Sequence, residues 1–136
     1  MAKLEINSIK VNRERKEAVE RLQKEVNTDL FWNAIIAFQN YPFFTYSGLP
    51  FSYTIKVGRN GKLNKELLIN RRDKSKSLTW SSIVIALDKA LNQKGNIIGR
   101  PKEIGDISGI SYIYPIFYRL GLIDVPEHIA DIMSLQ

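Results

Sequence analysis

Cysteine is absent from this chain, and His128 is its only histidine. Without thiolates there can be no disulfide, no thiolate metal site and no cysteine nucleophile. One imidazole is too few for a transition-metal centre, so neither metal nor cofactor is expected. Long apolar runs are missing too. The charge-free apolar stretch of residues 107–118 is too short and too polar to span a bilayer, so a membrane partner is not expected. Residues 1–10 carry Lys3, Glu5 and Lys10 with no apolar core, which argues against an export signal. These absences together favour a cytoplasmic setting.

Carboxylates are thinly spread. Nuclease chemistry needs clustered acids around Mg²⁺, with an Asp and a Glu-x-Lys on adjacent strands. Glu66 is the one acid well placed in a strand, and Leu68 stands where that lysine would be. His128 has no serine or carboxylate within a recognisable triad spacing. The string Gly58-Arg59-Asn60-Gly61-Lys62 is too short for a P-loop and is followed by a strand, not a helix. No catalytic residue is assigned, and an enzyme is not expected.

What the chain does have is concentrated positive charge. The net charge is +6, from 20 basic and 14 acidic residues. Lys56, Arg59, Lys62, Lys65, Arg71, Arg72, Lys74 and Lys76 fall within residues 56–76, against Glu66 and Asp73 alone, so that segment carries the whole excess. The remaining residues balance to zero.

Hydrophobic periodicity sets the frame of an α+β domain, read as one domain over 136 residues. Residues 1–12 alternate Leu4, Ile6, Ile9 and Val11, which predicts a short strand or an extended arm. Residues 13–27 form a charged helix with Ala18, Val19, Leu22 and Val26 along a narrow stripe. Asn27 or Thr28 caps a second helix with a broad face of Leu30, Phe31, Ala34, Ile35 and Phe38, ended by Tyr41-Pro42.

Phe51, Tyr53, Ile55 and Val57 alternate with Ser52, Thr54 and Lys56, the clearest strand in the chain. A short strand at 43–46 and a return strand at 66–71 make a hairpin or three-strand meander. The basic loop between Val57 and Glu66 reads as long and projecting. Ser77 or Thr79 starts a third helix with Trp80, Ile83, Val84, Leu87 and Leu91 on one face, ending near Gly95. Residues 101–107, 111–120 and 127–135 read as three more helices, giving a helical C-terminal third.

Residues 102–111 resemble the first helix and turn of a helix-turn-helix: Gly105, then Gly109 four residues on, then apolar Ile110, with Ser111 able to cap the next helix. That resemblance implies DNA contacts from Ser111, Tyr112, Tyr114, Tyr118 and Arg119, whereas the mostly apolar run 112–118 with Pro115 inside it favours helices packed in the core. The strand pair followed by a capped helix also has the element order of a double-stranded-RNA-binding domain. Lys74-Ser75-Lys76-Ser77-Leu78 would then stand where that family opens its last helix with lysines.

The electrostatic reading is the leading one. A lopsided cationic ribbon meets polyanion, and a two-stranded ribbon suits a DNA major groove. Ser75, Ser77 and Thr79 would add donors to phosphate, and Tyr46 would stack on an unpaired base beside the basic loop. If five phosphates are engaged, log K falls against log salt with a slope of about −4 to −5. DNA is favoured over RNA. The abundance of Ile, Asn and Lys suggests an AT-rich bacterial or phage genome. The alternative is an inhibitor or adaptor whose basic hairpin docks on an acidic protein surface. Helix 13–27 would then be a contact arm or the seam of a homodimer.

Overall fold

The computed structural model describes residues 3–71 and 75–134, and these divide into two compact units, Met1–Gln39 and Asn40–Gln136.

The first unit is a helical pair, α1 (Lys3–Lys24) and α2 (Thr28–Ala37). The arm expected over residues 1–12 is, from Lys3 on, the first turns of α1. No proline or glycine interrupts residues 3–24, and extending an existing helix costs far less than starting one. An isolated alternating segment has no such gain unless a strand pairs with it. Along the rest of α1, Ala18 and Leu22 are buried and most other positions are exposed, as the narrow stripe requires.

Asn27 caps α2, its Oδ1 accepting from Leu30 N at 2.8 Å. Arg15 closes the other end. Its Nε donates to Ala37 O at 3.0 Å and its Nη2 to Gln39 O at 2.9 Å, with the guanidinium 5.7 Å from the Phe38 ring centre. One side chain of α1 thus serves carbonyls that the end of α2 leaves without helical partners.

The second unit is α+β. Four antiparallel strands, β1 (Phe43–Phe44), β2 (Pro50–Val57), β3 (Leu63–Arg71) and β4 (Ser75–Thr79), lie in the order β1-β2-β3-β4. Alternation divides the sheet into two faces. Phe43, Phe51, Tyr53, Ile55, Leu67, Ile69 and Leu78 are buried on one. Ser52, Thr54, Lys56, Glu66, Leu68, Asn70, Ser75, Ser77 and Thr79 share the other, polar face.

β4 was not expected as a strand. Only Leu78 in Ser-Lys-Ser-Leu-Thr is apolar, because an edge strand needs to bury little, and the serines read instead as a helix start. Thr79 does cap α3 (Trp80–Leu91), accepting from Ser82 N at 3.3 Å, so strand and helix meet at one residue. Ile83, Ala86, Leu87 and Ala90 are the buried positions of α3.

The C-terminal part is helical, but shorter in its pieces than periodicity predicts. Residues 101–107 contain only a 3-10 turn, Pro101–Glu103. It is followed by α4 (Ile110–Arg119) and α5 (Glu127–Ser134). Gly109, at φ 79, enters α4 with Leu78 so close that an added Cβ would collide with that side chain. In the core, Tyr114 Oη donates to Ile98 O at 2.6 Å, and Phe51 meets Tyr112 edge-on at 5.1 Å.

Burial of α4 removes the helix-turn-helix reading. Tyr112, Ile113, Tyr114, Pro115, Ile116 and Phe117 are all buried, so this helix packs in the core as its apolar run favours, and of the five contact residues only Ser111, Tyr118 and Arg119 reach the surface. The double-stranded-RNA-binding analogy fails at its functional run. Ser75–Leu78 lies in β4, one strand before the helix, and Lys74 is outside the described residues.

Candidate nucleic-acid interface

The β2–β3 ladder runs from Phe51↔Arg71 to Ile55↔Leu67, is broken by a bulge, and resumes at Val57↔Leu63. β4 pairs only with Glu66–Asn70, and β1 only with Pro50 and Phe51. Residues 56–65 therefore form a two-stranded ribbon with no third strand beside it among the described residues. Its connection is residues 58–62, shorter than the loop expected, because Leu63–Lys65 already belongs to β3. The turn is self-bonded: Gly58 N donates to Lys62 O at 2.7 Å, Gly61 N to Gly58 O at 3.0 Å, and Lys62 N to Asn60 Oδ1 at 3.0 Å. Gly61 supplies the positive φ, 77°, that the turn requires.

The cations of this segment separate into three groups. Arg59 and Lys62 stand exposed at the tip. Lys56 is half-buried on the polar face, with Nζ 3.1 Å from Glu66 Oε1. Lys65, Arg71 and Lys76 alternate to the opposite, core-side face. There Lys65 Nζ sits 5.6 Å from the Trp80 ring centre, and the Arg71 guanidinium lies over Tyr112 at 5.6 Å and donates to its hydroxyl. Arg72 and Lys74 lie outside the described residues. A single continuous cationic strip was expected. Strand alternation and the Glu66 pair divide it, and among the described residues Arg59 and Lys62 stand together at the tip.

The tip also has an apolar component that periodicity concealed. Val57 and Leu63 face each other across the ladder beyond the core and are 64% and 44% exposed. Val57 reads in sequence as the last inward residue of β2. The bulge between Ile55 and Val57 and the absence of a third strand leave it uncovered, and no local sequence signal reports either.

Tyr46 is placed differently from expectation. It lies in the β1–β2 turn, where Gly48 N donates to Thr45 O at 2.9 Å, next to Pro50. That is the Arg71 end of the sheet, remote from the 58–62 turn. Its ring is 36% exposed and meets Tyr114 edge-on at 6.1 Å. The serines assigned to phosphate are strand residues on the polar face, and the Thr79 hydroxyl is engaged with Ser81 and Ser82 at the α3 cap.

A cavity of about 440 Å³ opens at that same end of the sheet, bordered by Phe44, Pro50, Ser52, Asn70 and Arg71 among others. No group of three or more His, Asp or Glu side chains able to hold a metal ion occurs among the described residues. Nor is any helix among them long and apolar enough to cross a membrane. Comparison with protein-family models, curated proteins and solved structures gives no match.

Proposed function

We propose that this chain is a non-catalytic nucleic-acid-binding protein, with DNA the favoured polymer, whose β2–β3 tip is the element of contact. The observation that carries this reading is the makeup of the tip. Two exposed cations, Arg59 and Lys62, flank an exposed apolar pair, Val57 and Leu63, at the end of an unsupported two-stranded ribbon. A ribbon of this width fits a major groove about 12 Å across. Cations there bind phosphate, and apolar side chains beside them can contact thymine methyls or wedge against base steps.

The test is a salt series on a blunt DNA duplex. Replacing both Arg59 and Lys62 by Ala should flatten the slope of log K against log salt by about 1.8, the loss of two phosphate contacts. Stability should stay within about 0.5 kcal/mol, because both side chains are exposed. Replacing Val57 and Leu63 by Ser should weaken binding while leaving the slope alone. Salt-insensitive binding, or an unchanged slope in the double variant, overturns the proposal.

The same apolar pair also suits a groove on an acidic protein. A stoichiometric protein partner that survives nuclease treatment, together with no affinity for duplex, would favour that second reading.

A further inference from the structure

Of the asparagines in the sequence, Asn60 alone precedes a glycine. The fold puts that pair in the turn between β2 and β3, where both residues are exposed. The side-chain carbonyl of an asparagine is open to attack by the backbone nitrogen of the residue that follows. Such an attack requires an unhindered nitrogen, a polarised carbonyl and a backbone that can move, and the 58–62 turn speaks to all three.

Gly61 meets the first requirement. It has no side chain to crowd a closing ring, and a Cβ built there would find nothing within 4 Å. Lys62 meets the second. Its backbone N–H donates to Asn60 Oδ1 at 3.0 Å, which draws electrons from Cγ and supplies a donor as negative charge develops on the oxygen. The exposed Arg59 and Lys62 side chains on either side favour the same charge. The third is met by local opening. Gly61 N donates to Gly58 O at 3.0 Å, so this bond must break before the nitrogen can attack. No third strand lies beside the ribbon among the described residues, and an exposed turn of this kind opens at small cost.

We infer that Asn60 is a site of spontaneous conversion to aspartate and isoaspartate, which places a carboxylate between the two cations of the tip. Gly61 N gives its proton to solvent base and bonds to Asn60 Cγ. The Cγ–Nδ2 bond breaks, ammonia leaves, and a succinimide ring is closed. Water then opens the ring. Attack at Cγ restores the main chain with an aspartate, and attack at the Asn60 backbone carbonyl carbon routes the chain through the side chain as isoaspartate. Water enters, ammonia leaves, and nothing is oxidised or reduced. The conversion follows from the turn alone, whereas its effect on binding rests on the nucleic-acid reading of the tip. On duplex, the converted chain should lose about 0.9 from the slope of log K against log salt, one cation's share.

The experiment ages the full chain in warm, mildly alkaline buffer, with the guanidinium-unfolded chain as a rate standard. Peptide mass mapping should show NH₂ exchanged for OH at Asn60 ahead of every other asparagine, at a rate that rises with pH. Enzymatic methylation of isoaspartate should mark the same peptide. Asn60→Ser has a hydroxyl that can accept from Lys62 N but cannot form the ring, so on ageing it should keep the salt slope of the fresh chain on blunt DNA duplex. Asn60→Asp should show the flatter slope without ageing. Both variants should keep the fold by circular dichroism, because the position is exposed.

An Asn60 that keeps its amide overturns the inference, most directly where the unfolded standard converts and the folded turn does not. Earlier conversion at another asparagine overturns it as well. Conversion at Asn60 with the duplex slope unaltered leaves the modification site standing and overturns the tip reading itself.

Discussion

Lys56 Nζ lies 3.1 Å from Glu66 Oε1 across the β2–β3 ladder, both side chains half-buried on the polar face of the sheet. The pair bridges the two strands at the bulge, where the ribbon leaves the sheet, and it withholds one cation from any phosphate. Glu66→Gln releases Lys56. The expected outcome is a salt slope on duplex steeper by up to about 0.9, read from the same salt series. The stability loss should stay below about 1 kcal/mol by urea denaturation, since the pair is partly solvated.

Gly109 carries a structural requirement of its own. Its φ of 79° is strained for any L side chain, and a methyl there runs into Leu78 of β4. Gly109→Ala should therefore destabilise the second unit by about 2 kcal/mol or more, combining backbone strain and overpacking. Urea denaturation measures it. Affinity per folded molecule should be unchanged, because neither residue borders the tip.

Tyr114 links α4 to the loop before the 3-10 turn through its bond to Ile98 O. Tyr114→Phe should cost about 1–3 kcal/mol, because a buried carbonyl loses its donor. Burial first, then the negative charges that Tyr46 and Glu103 can carry, holds this phenol above its ordinary value. The folded state thus keeps the proton longer than the unfolded chain does. The stabilisation is complete below the ordinary phenol pKa of about 10 and is lost as pH rises beyond it. Between about pH 9 and about pH 11, the fall in urea midpoint should be smaller in Tyr114→Phe than in the parent chain.

Most of the fold is legible where one residue's chemistry decides the local outcome. Asn27 and Thr79 are caps because their short side chains reach the free N–H groups of the next turn. Phe51, Tyr53 and Ile55 announce β2 by alternation, and they are buried as that requires. Lys3–Val11 and Ser75–Thr79 depart from what periodicity predicts for a common reason. Each takes its conformation from a neighbour, a helix already running in one case and the β3 edge in the other.

The candidate site is less legible than the fold. Linear charge density identifies the segment, but alternation along β3 sends Arg71 to one face and Asn70 to the other. Pairing across the ladder spends Lys56 on Glu66. Phe44, Pro50, Ser52 and Asn70, which border the depression at the far end of the sheet, come from three strands and converge only once the register is fixed. No spacing rule along the chain could have assembled them.

The overhang of the ribbon past Glu66 separates two demands that many proteins must meet with the same atoms. Nothing in the 58–62 turn is needed to hold the layers together, and lengthening a surface turn costs little chain entropy. Residue choice there is free to follow whatever is being gripped. If the tip is the element of contact as proposed, replacing the 58–62 turn with another turn sequence should change what is bound while melting behaviour stays with the rest of the domain.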